Sequence, residues 1–300
     1  MKEGGTSDWR FAARAAADLP PAAPRARLWI GGHAIGSIEP ALAARLVDAG
    51  LPLADTDDGL GLSIAAPADA SLAAIAHWLH EQGLSARWRD ERLAVASSDG
   101  SALAVVERAV VRVLGITTRA VHLVGFAPDG RVWVQQRAFD KAVDPGLWDT
   151  LMGGQVSAGE SIEETLERET QEEAGLAIAD LVDLRHTDRV TVRRPVAKGY
   201  VVEHVEVFEA TVPAALVPIN QDGEVERFEC LAIAAVLERL AAGAFSLEAT
   251  LILDRSLARR RPFRDDGSAG PAPDGADRSA RVITARAAPA SGRGSASLRG

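Results

Sequence analysis

The stretch GGQVSAGESIEETLERETQEEAGL, residues 153–176, decides how this chain is read. Nine of its 24 positions are glutamate or glutamine, far more than a solvated helix needs. Like charges three or four residues apart on a helix repel one another. Either they spread into solvent or a cation sits among them. Ser161 is a good N-cap, and Glu164, three residues on, completes a capping box. Ala174-Gly175 ends the helix. At about 100° per residue, Ile162, Leu166 and Thr170 form a narrow apolar stripe. Glu163, Glu164, Glu167 and Gln171 point away from it and read as solvated. Glu169, Glu172 and Glu173 fall within an arc of about 100° at the edge of the stripe. Half-sheltered carboxylates that close are unfavourable without a counter-ion, and hard divalent cations take oxygen ligands. Spacing alone leaves two readings of these three residues open, a solvated face and a metal platform.

Around this helix the texture is alternating and extended. VHLVGFAPDGRVWVQQRA turns at Pro128-Asp129-Gly130, a hairpin signal. LWDTLMGGQV reads as one extended run, HTDRVTVRR and YVVEHVEVFEATV as half-buried strands, and ERFECLAIAAVLERLAAGAF as containing a helix. LEATLILDRSL closes the ordered part. The preceding residues form a separate unit. RLWIGGHAIGSIEP reads as a hairpin around Gly31-Gly32, EPALAARLVDAG as a helix closed by Gly50, LSIAAP as a strand, and DASLAAIAHWLHEQG as a helix stopped by Gly83. RWRDERLAVAS reads as a strand and SALAVVERAVVRVLG as a helix ending at Gly115. The chain therefore divides into a small α+β domain over 1–112, a second domain over 113–258, and a Gly, Pro, Ala and Arg-rich tail over 259–300 that reads as disordered.

Composition excludes several classes. The net charge of −9 argues against general binding to nucleic acid, which needs a basic surface. It still admits an anionic substrate, because a divalent cation can stand between carboxylates and phosphates. The one cysteine, Cys230, permits no intramolecular disulfide and suits a reducing cytoplasm. No apolar run reaches the roughly 18 residues that cross a bilayer, and the N-terminus, broken by Asp, Arg and Pro, does not read as a secretory signal. The six histidines show no metal-ligand spacing and read as structural or surface residues.

The 153–176 stretch resembles the signature of the Nudix hydrolase family, G-x5-E-x7-R-E-U-x-E-E-x-G-U, with U a bulky aliphatic residue. The matching positions are Gly154, Glu160, Arg168, Glu169, Glu172, Glu173, Gly175 and Leu176; Thr170 stands at the first U position, where its methyl group can still pack. The resemblance implies an α/β (α+β) fold, a sandwich of helices around a mixed sheet, with the small N-terminal α+β domain added to it. It implies cleavage of a nucleoside diphosphate linked to another moiety, or of another organic pyrophosphate, using Mg²⁺ or Mn²⁺. Carried over by position, Glu169, Glu172 and Glu173 would be metal ligands, one of them helping to activate water, with the carbonyl of Gly153 as a further ligand. Arg168 and Glu160 would orient the carboxylates through a salt bridge. The acidic patch NQDGEVERFE offers Asp222, Glu224 and Glu226. Glu224 or Glu226 is the candidate for a later metal-binding or basic glutamate, and a polar turn is the plain alternative.

DPGLWDTLMGGQV, residues 144–156, with its flanks QQRA and NQDGEVERFE, is similar to the subgroup related to the Nudix half of fungal thiamine-pyrophosphokinase-associated proteins. WIGGHAIGSIEPALAARL resembles the domain of unknown function that precedes Nudix there. By that analogy the small-molecule substrate would be thiamine diphosphate or a damaged form of it. Trp148 would then stack on a ring, or else pack as a strand tryptophan. Two alternatives stand beside this one. An isopentenyl-diphosphate isomerase shares the fold but uses a cysteine near the strand entering the signature, where this chain has Leu151-Met152-Gly153-Gly154. A non-catalytic diphosphate-binding module would have no need of the full carboxylate set. The N-terminal domain could cover the mouth of the site or form the surface of a homodimer.

Overall fold

In the computed structural model, residues 8–56, 61–97 and 100–260 are described. The first helix, α1 (Asp8–Ala16), does not join the domain that follows it. It lies on the helix over Leu247–Arg260, where Arg10 and Arg14 both reach Asp254, at 2.6 and 3.0 Å. The N-terminal sheet then begins with β1 (Ala26–Ile30) and β2 (His33–Ile38), joined by Gly31 and Gly32 at φ 53° and 84°. Two consecutive positive φ values are what a tight hairpin turn demands, and glycine supplies them without strain. Next come α2 (Pro40–Asp48), β3 (Leu53–Asp55), β4 (Gly61–Ile64) and α3 (Ala68–Glu81), and the sheet runs β2-β1-β4-β3. Leu28, Ile38, Leu46, Leu72, Ile75 and Leu79 are fully buried between sheet and helices. Burying each such side chain contributes about 1.5–3 kcal/mol.

Two expectations fail in the next stretch. The segment 101–115, expected as a helix, is instead β6 (Ala102–Glu107) followed by a single 3-10 turn at Arg108–Val110. Its burial alternates, with Ala104 and Val106 inside and Ala102 outside, and it pairs antiparallel with β5 (Arg92–Ala96). Period-two burial and β-branched valines outweigh the apolar count that suggested a helix. The strand expected from Arg87 begins only at Arg92, because Asp90 turns the chain at φ 57°.

The larger sheet is built on β7 (Thr117–Phe126) and β8 (Val132–Arg137), which meet around Gly130 at φ 83° as the turn residues foretell. The expected single run over 147–156 divides into β9 (Trp148–Asp149) on β8 and β10 (Met152–Gln155) on β7. Then follow α4 (Ile162–Ala174), the long hairpin β11 (Val182–Val196) and β12 (Gly199–Thr211), β13 (Val225–Leu231), α5 (Ile233–Ala241) and α6 (Leu247–Arg260). The mixed sheet runs β11-β12-β7-β8-β13, with β12 parallel to β7. Side chains alternate across β7. Ala120, Val124 and Phe126 enter the core with α5 and α6, while Val121 and Leu123 enter the core beneath α4. Arg259 and Arg260, expected in the tail, complete α6; Arg259 reaches Glu209 at 2.8 Å. Residues 261–300 lie outside the described residues. Among the described residues, no helix is long and apolar enough to cross a membrane.

The N-terminal α+β region is stitched to the second sheet at the loop that leads into α4. Ala158 N–H donates to the Arg92 carbonyl at 2.8 Å, and Leu93 bridges to Ser157. Tyr200 N–H donates to the Arg112 carbonyl at 2.8 Å.

Candidate active site

The capping box anticipated at the start of α4 is formed. Glu164 N–H donates to Ser161 Oγ at 3.1 Å, and Ser161 N–H donates to Glu164 Oε2 at 2.8 Å. Gly175 stops the helix at φ 63°. Glu163, Glu164 and Glu167 are solvent-exposed as expected. Arg168 organises the remaining charge. Its Nε and Nη2 grip both oxygens of Glu160 at 2.8 and 2.9 Å, and Thr165 Oγ1 also donates to Glu160 at 2.9 Å. A bidentate guanidinium–carboxylate pair fixes orientation as well as charge. Its Nη1 lies 2.9 Å from Glu169 Oε1 and 2.9 Å from Glu172 Oε2. The hydrogen bonds from Arg168 hold the Glu160 carboxyl below its usual range against the effect of partial burial.

The three candidate metal carboxylates do not share one environment. The Glu172 side chain is 48% exposed, Glu169 14%, and Glu173 as a residue only 1%. Glu173 therefore lies within the buried stripe beside Leu166 and Thr170, not at its edge. It accepts from Gln135 Nε2 at 2.9 Å and from Gly153 N–H at 3.0 Å. Burial nevertheless pushes its pKa up to about 8, with the charge of Glu169 adding to the rise. Burial raises Glu169 as well, opposed by Arg168. Gly154 makes the Glu169 position available: a Cβ built on it would overlap the Glu169 carboxyl group. Gly154→Ala should therefore displace that carboxylate and cut turnover on the order of tenfold or more, with thermal unfolding within a few degrees of wild type. Activity and melting measured side by side check this.

Among the described residues, no three His, Cys, Asp or Glu side chains already converge as a metal-holding group. Arg168 stands between Glu169 and Glu172, and Glu173 is turned toward Gln135 and Gly153. The donor chemistry still fits a hard divalent cation, since Glu169 and Glu172 stand at one wall sharing a cationic partner, with Glu173 of the same helix buried behind them.

That wall belongs to a cavity of about 520 Å³. Of the sequence candidates, Gly153, Arg168, Glu169, Glu172 and Glu224 line it, while Glu160 and Glu173 stand behind the surface. Asp222 lines it too; Glu226 is exposed and lies outside. Lys141 pairs with Glu224 and, against the effect of burial, holds its carboxyl below the usual range. Sequence reading missed Lys141, Gln135 and His122. His122 is buried on the cavity wall, and burial lowers its pKa, so the ring is neutral. Thr150 Oγ1 donates to the Met152 carbonyl at 2.8 Å, so its contact with His122 Nδ1 at 2.9 Å makes Nδ1 the donor. A second acidic wall was also missed. Glu203 accepts from Gln155 Nε2 at 2.8 Å and from Thr118 Oγ1 at 2.9 Å, and Glu248 has Arg194 at 3.9 Å. Burial, with Glu203 nearby, pushes Glu248 up to about 7. Trp148 is 7% exposed, packs under Arg239 at 4.4 Å and does not line the cavity, so it takes the packing role. Cys230 is half-buried on β13, also away from the cavity.

Residues 116–251 match the family model of the NUDIX domain. Nudix hydrolase 24, chloroplastic, from Arabidopsis thaliana is 33% identical over 142 residues, 44% of this chain and 37% of its own length. An isopentenyl-diphosphate Delta-isomerase from Leifsonia xyli is 30% identical over 168 residues, 54% of this chain and 88% of its own length. A solved structure from Deinococcus radiodurans, 24% identical, covers 55% of this chain and 98% of that one with a TM-score of 0.46. The match spans well under half the length of the Arabidopsis relative.

Proposed function

We propose, from the premise that this chain belongs to the NUDIX family, that it is a metal-dependent hydrolase cutting the diphosphate linkage of a small organic pyrophosphate. One observation carries this reading. Arg168, clamped by Glu160, holds Glu169 and Glu172 from a single nitrogen beside buried Glu173, against a cavity large enough for a small diphosphate. Glu169, Glu172 and Glu173, with the Gly153 carbonyl, would hold Mg²⁺ or Mn²⁺. Such an ion, when bound, offsets phosphate charge and lowers the pKa of a coordinated water. The remaining work falls to the chain itself. Arg168 and Glu160 keep the carboxylates in register, Gly154 admits Glu169 at close range, and Gln135 steadies Glu173. Glu224, on the cavity wall beside Lys141, would be the further metal-binding or basic glutamate.

Thiamine diphosphate or a derivative is the favoured substrate, with a nucleoside diphosphate conjugate second. Beyond the resemblance of residues 144–156, the acidic wall supports this. Glu203 and Glu248 give this wall two carboxylates, with Arg194 3.9 Å from Glu248. Such acceptors suit a cationic or donor-bearing ring. The test is a panel of thiamine diphosphate, nucleotide sugars, dinucleotides and nucleoside triphosphates with Mg²⁺ or Mn²⁺, read by mass spectrometry. Monophosphate release from at least one is expected. Failure across the panel would favour a non-catalytic binding module. The isomerase reading gains from the Leifsonia relative but lacks its cysteine, since Cys230 stands away from the cavity. Conversion of isopentenyl diphosphate to its isomer would reinstate it.

A further inference from the structure

Part of the cavity wall comes from outside the NUDIX domain: Arg89, Glu91, Arg108 and Arg112 all precede residue 116. They are held there by backbone. The Ala158 N–H to Arg92 carbonyl bond ties β5 to the loop of the signature, and the Arg112 carbonyl accepts from Tyr200 N–H at 2.8 Å. The cations of the cavity then sort by partner. Arg168 is taken by Glu160, Glu169 and Glu172. Lys141 is taken by Glu224, Arg137 by Asp149 at 3.3 Å and Arg108 by Glu91 at 2.7 Å. Arg194 faces Glu248 at 3.9 Å. Arg89 and Arg112 have no side-chain hydrogen bond or ion pair with any described residue, and the charge of Arg89 acts on Glu224 only at longer range. An unmatched guanidinium on a cavity wall is a ready partner for phosphate oxygens.

We infer that the N-terminal domain is the second half of the substrate site, and that Arg89 and Arg112 bind the anionic part of the substrate facing the α4 carboxylates. This rests on the diphosphate reading of the same cavity. It gives the domain a task in recognition, with the chemistry left to α4. Arg108, fixed by Glu91, supports the wall, while Arg89 and Arg112 are free to close on the ligand.

Calorimetric titration of the full chain with inorganic pyrophosphate in magnesium buffer tests it without turnover. Wild type should bind, and Arg89→Ala and Arg112→Ala should each weaken binding on the order of tenfold. Arg87→Ala, an exposed arginine two positions from Arg89 and outside the cavity, should bind as wild type. Arg112→Lys, keeping the charge, should retain most of the binding and so separate lost recognition from lost folding. In the hydrolysis assay, the two alanine variants should raise KM with kcat within about twofold. Wild-type affinity in both alanine variants, or no pyrophosphate binding by wild type, overturns the inference. Pyrophosphate binding with the expected losses, but no cleavage of any organic diphosphate, would sink the hydrolase reading and leave the binding role standing.

Discussion

Glu172→Gln is expected to fold normally and lose about a hundredfold or more in kcat on the true diphosphate substrate. The two halves of that statement have separate causes. Glu172 is half exposed, and among the described residues its side chain pairs with Arg168, so removing its charge costs about 0.5 kcal/mol of stability at most. Arg168 stays anchored by two hydrogen bonds to Glu160. The carboxylate nonetheless stands on the cavity wall beside Glu169, where a charge of −1 is worth most to a bound cation and where an amide oxygen is a poor substitute. Thermal melting with and without the metal, together with single-turnover rates, separates the contributions. Melting should match wild type in chelator, and the metal-induced rise in Tm should shrink. If Glu172→Gln and Glu173→Gln both hydrolyse the substrate at the wild-type rate, the metal assignment to α4 is wrong.

The parts of this molecule legible in the sequence are those governed by local rules. The cap at Ser161, the stop at Gly175 and the turn at Gly130 each depend on a few neighbouring residues, and each is formed as read. What escaped reading depends on contacts far apart in the chain. A helical wheel puts Glu173 at the edge of a stripe because it knows nothing of Gln135, 38 positions away, which covers it from β8. The docking of α1 on α6 joins residues 10 and 254, and no periodicity signals it. The segment 101–115 failed for another reason. Its small apolar residues satisfy both periods, and only pairing with β5 selects the strand. The carboxylates of the candidate site were therefore visible as types and spacings, while their unequal burial, and the arginines facing them from the other domain, were not.

That unequal burial gives the second large effect. Burial disfavours the charged form of Glu173 and pushes its pKa up to about 8 in the folded protein, from the usual 4.5 of a free carboxyl. Between these values the native state binds the proton more tightly than the unfolded state, so stability falls as pH rises through that window. Below about 4.5 the carboxyl is protonated in both states and contributes no pH slope. Above about 8 it is ionised in both, and the cost of burying the charge is fully present. In chelator, Glu173→Gln should therefore melt close to wild type at pH 5 and on the order of 5 °C above it at pH 8.5. The amide keeps the shape and both local contacts, since its oxygen still accepts from Gln135 and Gly153. Magnesium or manganese should narrow the gap by raising the wild type more than the variant, because the ionised carboxylate at 173 adds its charge to those of Glu169 and Glu172. The substitution expected to lower turnover should thus stabilise the metal-free fold, which is the expected trade where a buried charge is held for function. A Glu173→Gln protein that melts below wild type at pH 8.5 in chelator would mean that Glu173 is a structural acceptor, with its ionisation playing no part.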